Sequence, residues 1–574
     1  MSRRLWLVLV ALLVLVAGCA SVPGESSVQV LRKVTDGDSP DIPAGPVEGT
    51  NPLDLVRGFV YASGSTVDRH GAARRFLTPE AAQSWDADES LTVLDEQFDT
   101  VYPPTSSTDP DTATVRIRGD RVGSLDAVGA FEPGEAPVEI DVTVRRANGQ
   151  WRIDRLPDGV LVRLSDFRTN FRTVKGYFVD PVRRATVADL RYLPAVPAQA
   201  LPSRTVDMLL TGPSPALQGA AISAVPPDTR LRTNVTESPD GALVVDLTQV
   251  GDLDEARRRL IAAQFVQTLA EITVPRVRLL VDGAPLLTDE PDLTADDVAG
   301  AGAHVQPAAD VPALVVTGGR VRALPGGEPI GGQTGNGSFD IASAATTADG
   351  ARIAAVARDG GRMRLLVGPT DGMVQAVPLS AAALSRPTWT PTGGEVWTVL
   401  GGGPVAVVAR VTVDQAGAVR TGQVDVAALT ALGPLTDLRL SRDGMRVAAI
   451  VDGGVVTGAV VRADGGDVAV RNVRRLRPTD LSGVVGVDWR ADESLIVVTD
   501  RSDRPVSLVS SDGLTLQLVP GSNLTPPLEA VTAAPSRPFL VADQGGIWSY
   551  DGGELDSWRQ VLGSAPDGVP LYPG

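Results

Sequence analysis

Five times in its C-terminal half the chain writes a short strand, a polar turn and an apolar strand. Ala344 to Gly350 precedes Ile353-Ala354-Ala355-Val356, and Pro387 to Gly393 precedes Val396-Trp397. Leu438 to Gly444 precedes Val447 to Ile450, Val487 to Glu493 precedes Leu495 to Val498, and Val531 to Ser536 precedes Phe539-Leu540-Val541. The turns sit near 349, 393, 443, 492 and 536, at intervals of about 44 to 50 residues, the length of one four-stranded propeller blade. Asp349-Gly350 and Asp443-Gly444 suit tight hairpins inside a blade. Such a period binds each unit to its neighbours, because one blade cannot bury its own apolar face. The alternative is a β-sandwich with coincidental spacing. Strand-like runs at Leu314-Val315-Val316 and Val321-Arg322-Ala323 precede the first repeat. They are placed to complete the last blade, which gives a propeller domain over 312–574 with five or six blades.

Upstream the period changes. Pro52, Leu55, Val56, Phe59 and Val60 have helical spacing, and a second helix is predicted from Ala72 to Trp85, with Thr78-Pro79-Glu80 restarting the pattern. Val115 and Ile117, then Val138, Ile140, Val142 and Val144, alternate with polar residues, and Asn148-Gly149 turns into Trp151 and Ile153. Helices followed by an antiparallel sheet predict a small α+β domain over 52–165. A second α+β domain is predicted over 173–287. It holds a hairpin from Val174 to Leu193, a helix from Leu201 closed by Thr211-Gly212-Pro213, and a strand from Ala242 to Leu247. A long helix from Asp254 to Ile272 puts Ile261, Phe265, Leu269 and Ile272 on one face, and a closing strand runs from Val277 to Val281. Residues 288–311, rich in Asp, Ala, Gly and Pro, read as a linker.

The N-terminus carries a different signal. Ser2-Arg3-Arg4 is followed by twelve almost wholly apolar residues from Leu5 to Val16, then Ala17-Gly18-Cys19. That stretch is short for a membrane span, which needs about 20 apolar residues, and reads as an export signal over 1–18. The aliphatic-Ala-Gly-Cys order resembles a bacterial lipobox, in which the cysteine is acylated and becomes the first mature residue. Cys19 is the single cysteine in the chain, so the alternative of an incidental cysteine is the weaker one. Residues 19–51 read as an acylated tether; about 32 flexible residues span roughly 30 Å. A strand around Val28 to Val34 docking on the first domain is the other reading of that stretch. With its one thiol used by the anchor, the chain has no intramolecular disulfide and relies on apolar burial. A net charge of −17 removes any electrostatic basis for nucleic-acid binding. It also leaves membrane attachment at the outer face of the cytoplasmic membrane to the lipid.

No catalytic constellation emerges. The only histidines are His70 and His304, neither near a cysteine nor at metal-ligand spacing, and both read as solvated loop residues. Gly332 to Gly337 lacks a strand-to-helix context for a phosphate loop. Asp86-Ala87-Asp88-Glu89-Ser90 lacks the later ligands of a calcium loop. Catalytic, metal and cofactor residues are therefore assigned to none. The densest positive stretch, Arg471 to Arg477, contributes Arg471, Arg474, Arg475 and Arg477. It is read either as an exposed strand edge or as a contact surface for an acidic partner.

The order of parts resembles the actinobacterial LpqB lipoprotein family: lipobox, α+β domain, a segment like the spore-germination GerMN domain, then a propeller. The GerMN likeness rests on Leu209-Leu210-Thr211-Gly212-Pro213, Val225-Pro226-Pro227-Asp228-Thr229, Val244 to Leu247, Gln264 to Leu269 and Leu280 to Gly283. The resemblance implies a non-enzymatic accessory protein associated with the extracellular part of the sensor kinase MtrB, acting in cell-envelope homeostasis. An envelope glycan-processing enzyme and a peptidoglycan-binding scaffold are the competing readings. The lipobox makes one direct prediction. Cys19→Ser is expected to abolish partitioning into the detergent phase while the circular dichroism of the folded body stays unchanged; a serine variant that still incorporates radioactive palmitate would contradict the lipobox.

Overall fold

The structure is a computed structural model and describes residues 45–104, 109–272, 276–401, 406–552, 557–565 and 567–574. The export signal, Cys19 and most of the tether lie outside the described residues. The first domain opens with the helix Pro52–Ser63, whose first turn is fixed by Pro52 and by the Asn51 side chain accepting from Asp54 N at 3.0 Å. Its apolar stripe, Leu55, Val56, Phe59 and Val60, is buried against a five-stranded sheet. The helix predicted from Ala72 to Trp85 is two short helices, Gly71–Arg74 and Pro79–Ser84. Between them the backbone of Phe76 and Thr78 exchanges hydrogen bonds with Ile153, so the sheet edge takes the residues that would have continued the helix. Pro79 then starts a new turn, capped by Thr78 Oγ1 accepting from Ala81 N.

The sheet runs in the spatial order Gln150–Arg155, Phe131–Ala147, Thr112–Leu125, Leu91–Val101, Val160–Arg163. Only the last pair is parallel. The strand Leu91–Val101 has no clean alternation in sequence because bulges at Val93/Leu94 and Leu94/Phe98 shift its register.

The second domain follows a short helix, Leu164–Asn170. The hairpin Phe171–Asp180 and Ala185–Pro194 packs on the helices Leu201–Thr211 and Glu255–Ala270. Gly212 ends the first helix at φ 95°, a conformation open to glycine. Asp254 caps the second, accepting from Arg257 N at 2.7 Å. Strands Leu243–Thr248 and Val277–Val281 pair in parallel on either side of that helix in the chain.

From Leu314 onward the described residues form six small antiparallel sheets. Five are four-stranded and lie within 340–381, 388–424, 435–476, 484–519 and 530–563. The sixth joins the two ends of the domain: the C-terminal strand Val569–Leu571 pairs with Leu314–Thr317, which pairs with Arg320–Ala323. The inner strands touch one another in cyclic order, so the early strands complete the last sheet and the ring has no open edge between its ends.

Local chemistry repeats with the sheets. Trp389 and Trp489 are buried on inner strands, and each indole N–H donates to a carbonyl of the preceding sheet, Ala345 O and Arg439 O, at 3.1 Å. The turns Thr347-Ala348-Asp349-Gly350, Ser441-Arg442-Asp443-Gly444 and Ser510-Ser511-Asp512-Gly513 share a hydroxyl donating to the aspartate and a glycine at positive φ.

The stretch 288–311 connects the second domain to the ring as a fixed strap. Ala303 N bonds Thr186 O at 2.8 Å, Ala308 N bonds Ala348 O at 3.1 Å, and Arg537 donates to the carbonyls of Ala308 and Val311 at 2.7 Å each. The domains also share apolar cores. Met445 and Ala459 of the ring pack into the core of the second domain, and Leu514 into that of the first.

Candidate functional site

The arginine run lies on and just beyond the outer strand Val468–Leu476 of the third sheet, and its side chains meet groups of this same chain. Arg474 donates to Glu132 Oε1 at 3.0 Å and to Phe131 O at 3.3 Å, both in the first domain. Arg477 grips Asp480 at 2.7 Å and stands 3.6 Å from Glu135. Arg475 donates to Val451 O and Leu432 O, and the more exposed Arg471 pairs with Asp425 at 2.6 Å. The acidic surface met by Arg474 and Arg477 is the first domain's long strand Phe131–Ala147, which holds Glu132 and Glu135.

A second junction is more deeply buried. Asp443, fully buried in the turn of the third sheet, accepts from Ser441 Oγ, from Met445 N at 2.9 Å and from Arg446 Nη1 at 3.2 Å. Arg446 Nη2 reaches Ala188 O of the second domain at 2.6 Å. From the other side Arg183 donates to Asp443 O, to Ala303 O of the strap at 3.2 Å and to Asp180 at 2.6 Å. Asp492, in the equivalent turn of the fourth sheet, accepts from Asp443 N at 3.1 Å and pairs with His304 Nδ1 at 2.7 Å. Nearby, Tyr192 OH donates to the buried Asp512 at 2.7 Å, and Lys175 pairs with Glu493 at 3.1 Å.

Both histidines therefore depart from the solvated-loop expectation. His304 has its imidazole packed at the strap, and His70 is 8% exposed with Nδ1 2.9 Å from Ser63 O. Loop position in the sequence does not show that the His70 ring folds back onto Ser63 of its own domain or that Asp492 of the ring meets His304. Burial lowers the His70 pKa. At His304 burial also pulls downward, but the hydrogen bond and charge of Asp492, with Asp443 behind it, outweigh it and leave the pKa raised. Burial and the neighbouring Asp492 raise Asp443.

Arginines also fill the axis of the ring. Arg386, at the second sheet, donates to Val531 O of the fifth at 3.1 Å. Arg442, at the third, donates to Ala533 O of the fifth at 2.8 Å and to Pro573 O beyond the sixth. The second and fifth members of a six-membered ring are opposite, as are the third and sixth, so these side chains cross the axis. Asp488 and Asp437 supply the counter-charge, Asp437 at 3.0 Å from Arg439. Burial lowers the Arg386 pKa to about 10.

The open site is elsewhere. A cleft of about 610 Å³ lies between the first and second domains, and a neighbouring hollow of about 460 Å³ lies across the turn Asp126 to Gly129. Asp126 Oδ1 holds that turn by accepting from Val128 N and Ala130 N, and Gly129 O accepts from Tyr192 N at 2.7 Å. The helix face carrying Arg204, Asp207 and Met208 forms one wall, and residues 87–91 with the loop 66–70 form the other. Sequence reasoning did not find this cleft, since its walls come from segments more than a hundred residues apart. Among the described residues no group of three or more His, Cys, Asp or Glu is placed to hold a metal ion. Nor is any helix there long and apolar enough to cross a membrane.

The His304 pair yields a pH prediction. A raised folded-state pKa contributes stability that is complete below the ordinary value of 6.5 and lost as pH rises through the raised value. His304→Gln is thus expected to lower stability by about 1–2 kcal/mol at pH 6 and by less at pH 8.5. Urea unfolding at the two pH values checks this; a deficit that stays constant or grows with pH would contradict it.

Three family models match the chain in succession. "Lipoprotein LpqB, N-terminal domain" matches residues 45–168, "Sporulation and spore germination" matches 175–287, and "Lipoprotein LpqB beta-propeller domain" matches 318–573. Lipoprotein LpqB of Rhodococcus opacus is 33% identical over 98% of this chain and 97% of its own. That of Mycolicibacterium smegmatis is 32% identical over 100% of both. Among solved structures, the nidogen/laminin complex aligns with 45% of this chain and 97% of its own at 10% identity and a TM-score of 0.33, a likeness too low to carry an argument. On the full-length relatives and the matched domain models, the chain belongs to the LpqB lipoprotein family.

Proposed function

We propose that this protein is a lipid-anchored binding and regulatory protein on the outer face of the cytoplasmic membrane, and that its partner is the extracellular sensor domain of an MtrB-like two-component histidine kinase. The observation that carries the reading is the locking of two α+β domains and a closed ring into one body, with a cleft of about 610 Å³ at a seam between domains. A preformed surface binds with little ordering cost, which suits recognition of another folded protein. The filled axis supports the same reading, because the central mouth that propellers commonly offer to small ligands is here crossed by Arg386 and Arg442. Such a body needs no chemistry of its own to alter a kinase. Binding one conformation of the sensor domain more tightly than another is sufficient to shift its signalling.

Chemical cross-linking of intact membranes, followed by purification of the full lipidated protein, is expected to recover the sensor kinase. Cys19→Ser is expected to reduce that recovery strongly by removing the protein from the membrane surface. Recovery of no kinase, or steady turnover of envelope glycan by the purified protein, would contradict the reading.

A further inference from the structure

We propose that the cleft between the first and second domains is a docking groove for an extended, positively charged segment of a partner protein. The inference rests on the binding-protein reading and adds where the partner sits and which chemistry it brings. At about 610 Å³ the cleft falls in the range of ligand-binding clefts. Four carboxylates line it, Asp88, Glu89, Asp126 and Asp207, against the two guanidinium groups of Arg69 and Arg204. Arg204 is already committed, donating through Nη1 to Pro194 O at 2.7 Å and Val196 O at 2.9 Å. Asp126 commits Oδ1 to its own turn, while its buried Oδ2 has no hydrogen-bond partner among the described residues. Burial lowers the His70 pKa, which weakens it as a source of positive charge in the cleft.

Asp88 and Glu89 on one wall and Asp207 on the other have no cation within ion-pair distance among the described residues. Partial burial raises the Asp207 carboxyl pKa with no opposing charge to hold it down. A guanidinium or ammonium entering between the walls would supply that charge.

Between the walls the lining is apolar, with Val160, Phe171 and Leu193, and Leu91 and Met208 add apolar surface to the walls. An extended strand alternates its side chains, so a segment with cations on one face and aliphatic groups on the other meets both the apolar lining and the carboxylates. Other ligand classes fit less well. Nucleic acid and anionic headgroups are repelled by the charge. A stacked sugar or a quaternary ammonium needs open aromatic faces, whereas Tyr192 is buried and tied to Asp512 and Phe171 is buried and stacked on Phe167. The lip also carries strain, with Asp68, Arg69 and His70 in succession at φ 50°, 52° and 61°. Backbone held in this region by its surroundings is a mark of functional edges. Here the hold is the His70 ring against Ser63 O and Arg74 Nε donating to Arg69 O at 3.2 Å.

The test uses the full chain in neutral detergent micelles and a fluorescent decapeptide of alternating arginine and valine. The wild type is expected to bind it. The pair Asp88→Asn and Asp207→Asn is expected to weaken binding at least tenfold with no loss of thermal midpoint. Asp289→Asn with Glu290→Asn, which removes the same charge from an exposed site outside the cleft, is expected to change it less than twofold. A glutamate-valine decapeptide is expected not to bind. No binding by the wild type, equal losses from both pairs, or equal binding of the acidic peptide would overturn the groove. Kinase recovery undiminished by the cleft pair would remove the groove and leave the kinase reading standing. Peptide binding at the cleft without kinase recovery would do the reverse.

Discussion

The carboxylate of Asp443 has nowhere to go but into Arg446. A buried aspartate without a cation and hydrogen bonds is costly, and this one is satisfied by the turn it closes and by a guanidinium that also reaches the second domain. The same turn offers its backbone N–H to Asp492 and its carbonyl to Arg183. Removing one partner of such a buried pair costs about 3–5 kcal/mol, because the remaining charge is left uncompensated. This one cluster touches the strap, the second domain and the ring at once.

Charge is used twice more in the same way. Across the ring axis, Arg386 and Arg442 join opposite sheets through carbonyls, so the ring is tied internally as well as at its closing strand. Along the outer strand, Arg474 and Arg477 join the ring to the first domain. An acidic protein has thus placed several of its 52 lysines and arginines at its own seams, while Asp88, Glu89 and Asp207 line the cleft. The cleft exists because the domains are joined around it: the Gly129–Tyr192 backbone bond and the Tyr192–Asp512 contact fix its two walls from within.

Much of the fold was legible in the sequence. The strand-turn-strand repeats, the Asp-Gly turns and the leftover strands at Leu314 and Val321 all rest on local chemistry that works the same way wherever the chain sits. The helix at Leu201 ends at Gly212 because the glycine conformation is a local requirement. What stayed hidden depends on distant parts of the chain. Phe76 to Thr78 reads as helix until Ile153 arrives to pair with it. The strand at Leu91 loses its alternation to bulges set by its neighbours. His304 reads as solvent-facing until Asp492 is brought against it. Arg474 reads as a free cation because Glu132 is more than three hundred residues away. The cleft is the extreme case, made wholly of tertiary placement.

The central claim is that buried polar junctions fuse three domains into a single mechanical and thermodynamic body. Scanning calorimetry of the full chain, compared with Arg446→Met, tests it most directly. The account predicts one cooperative transition for the wild type, with calorimetric and van't Hoff enthalpies in agreement, and its separation into resolved transitions when the guanidinium is lost. Separate domain transitions already present in the wild type would contradict it.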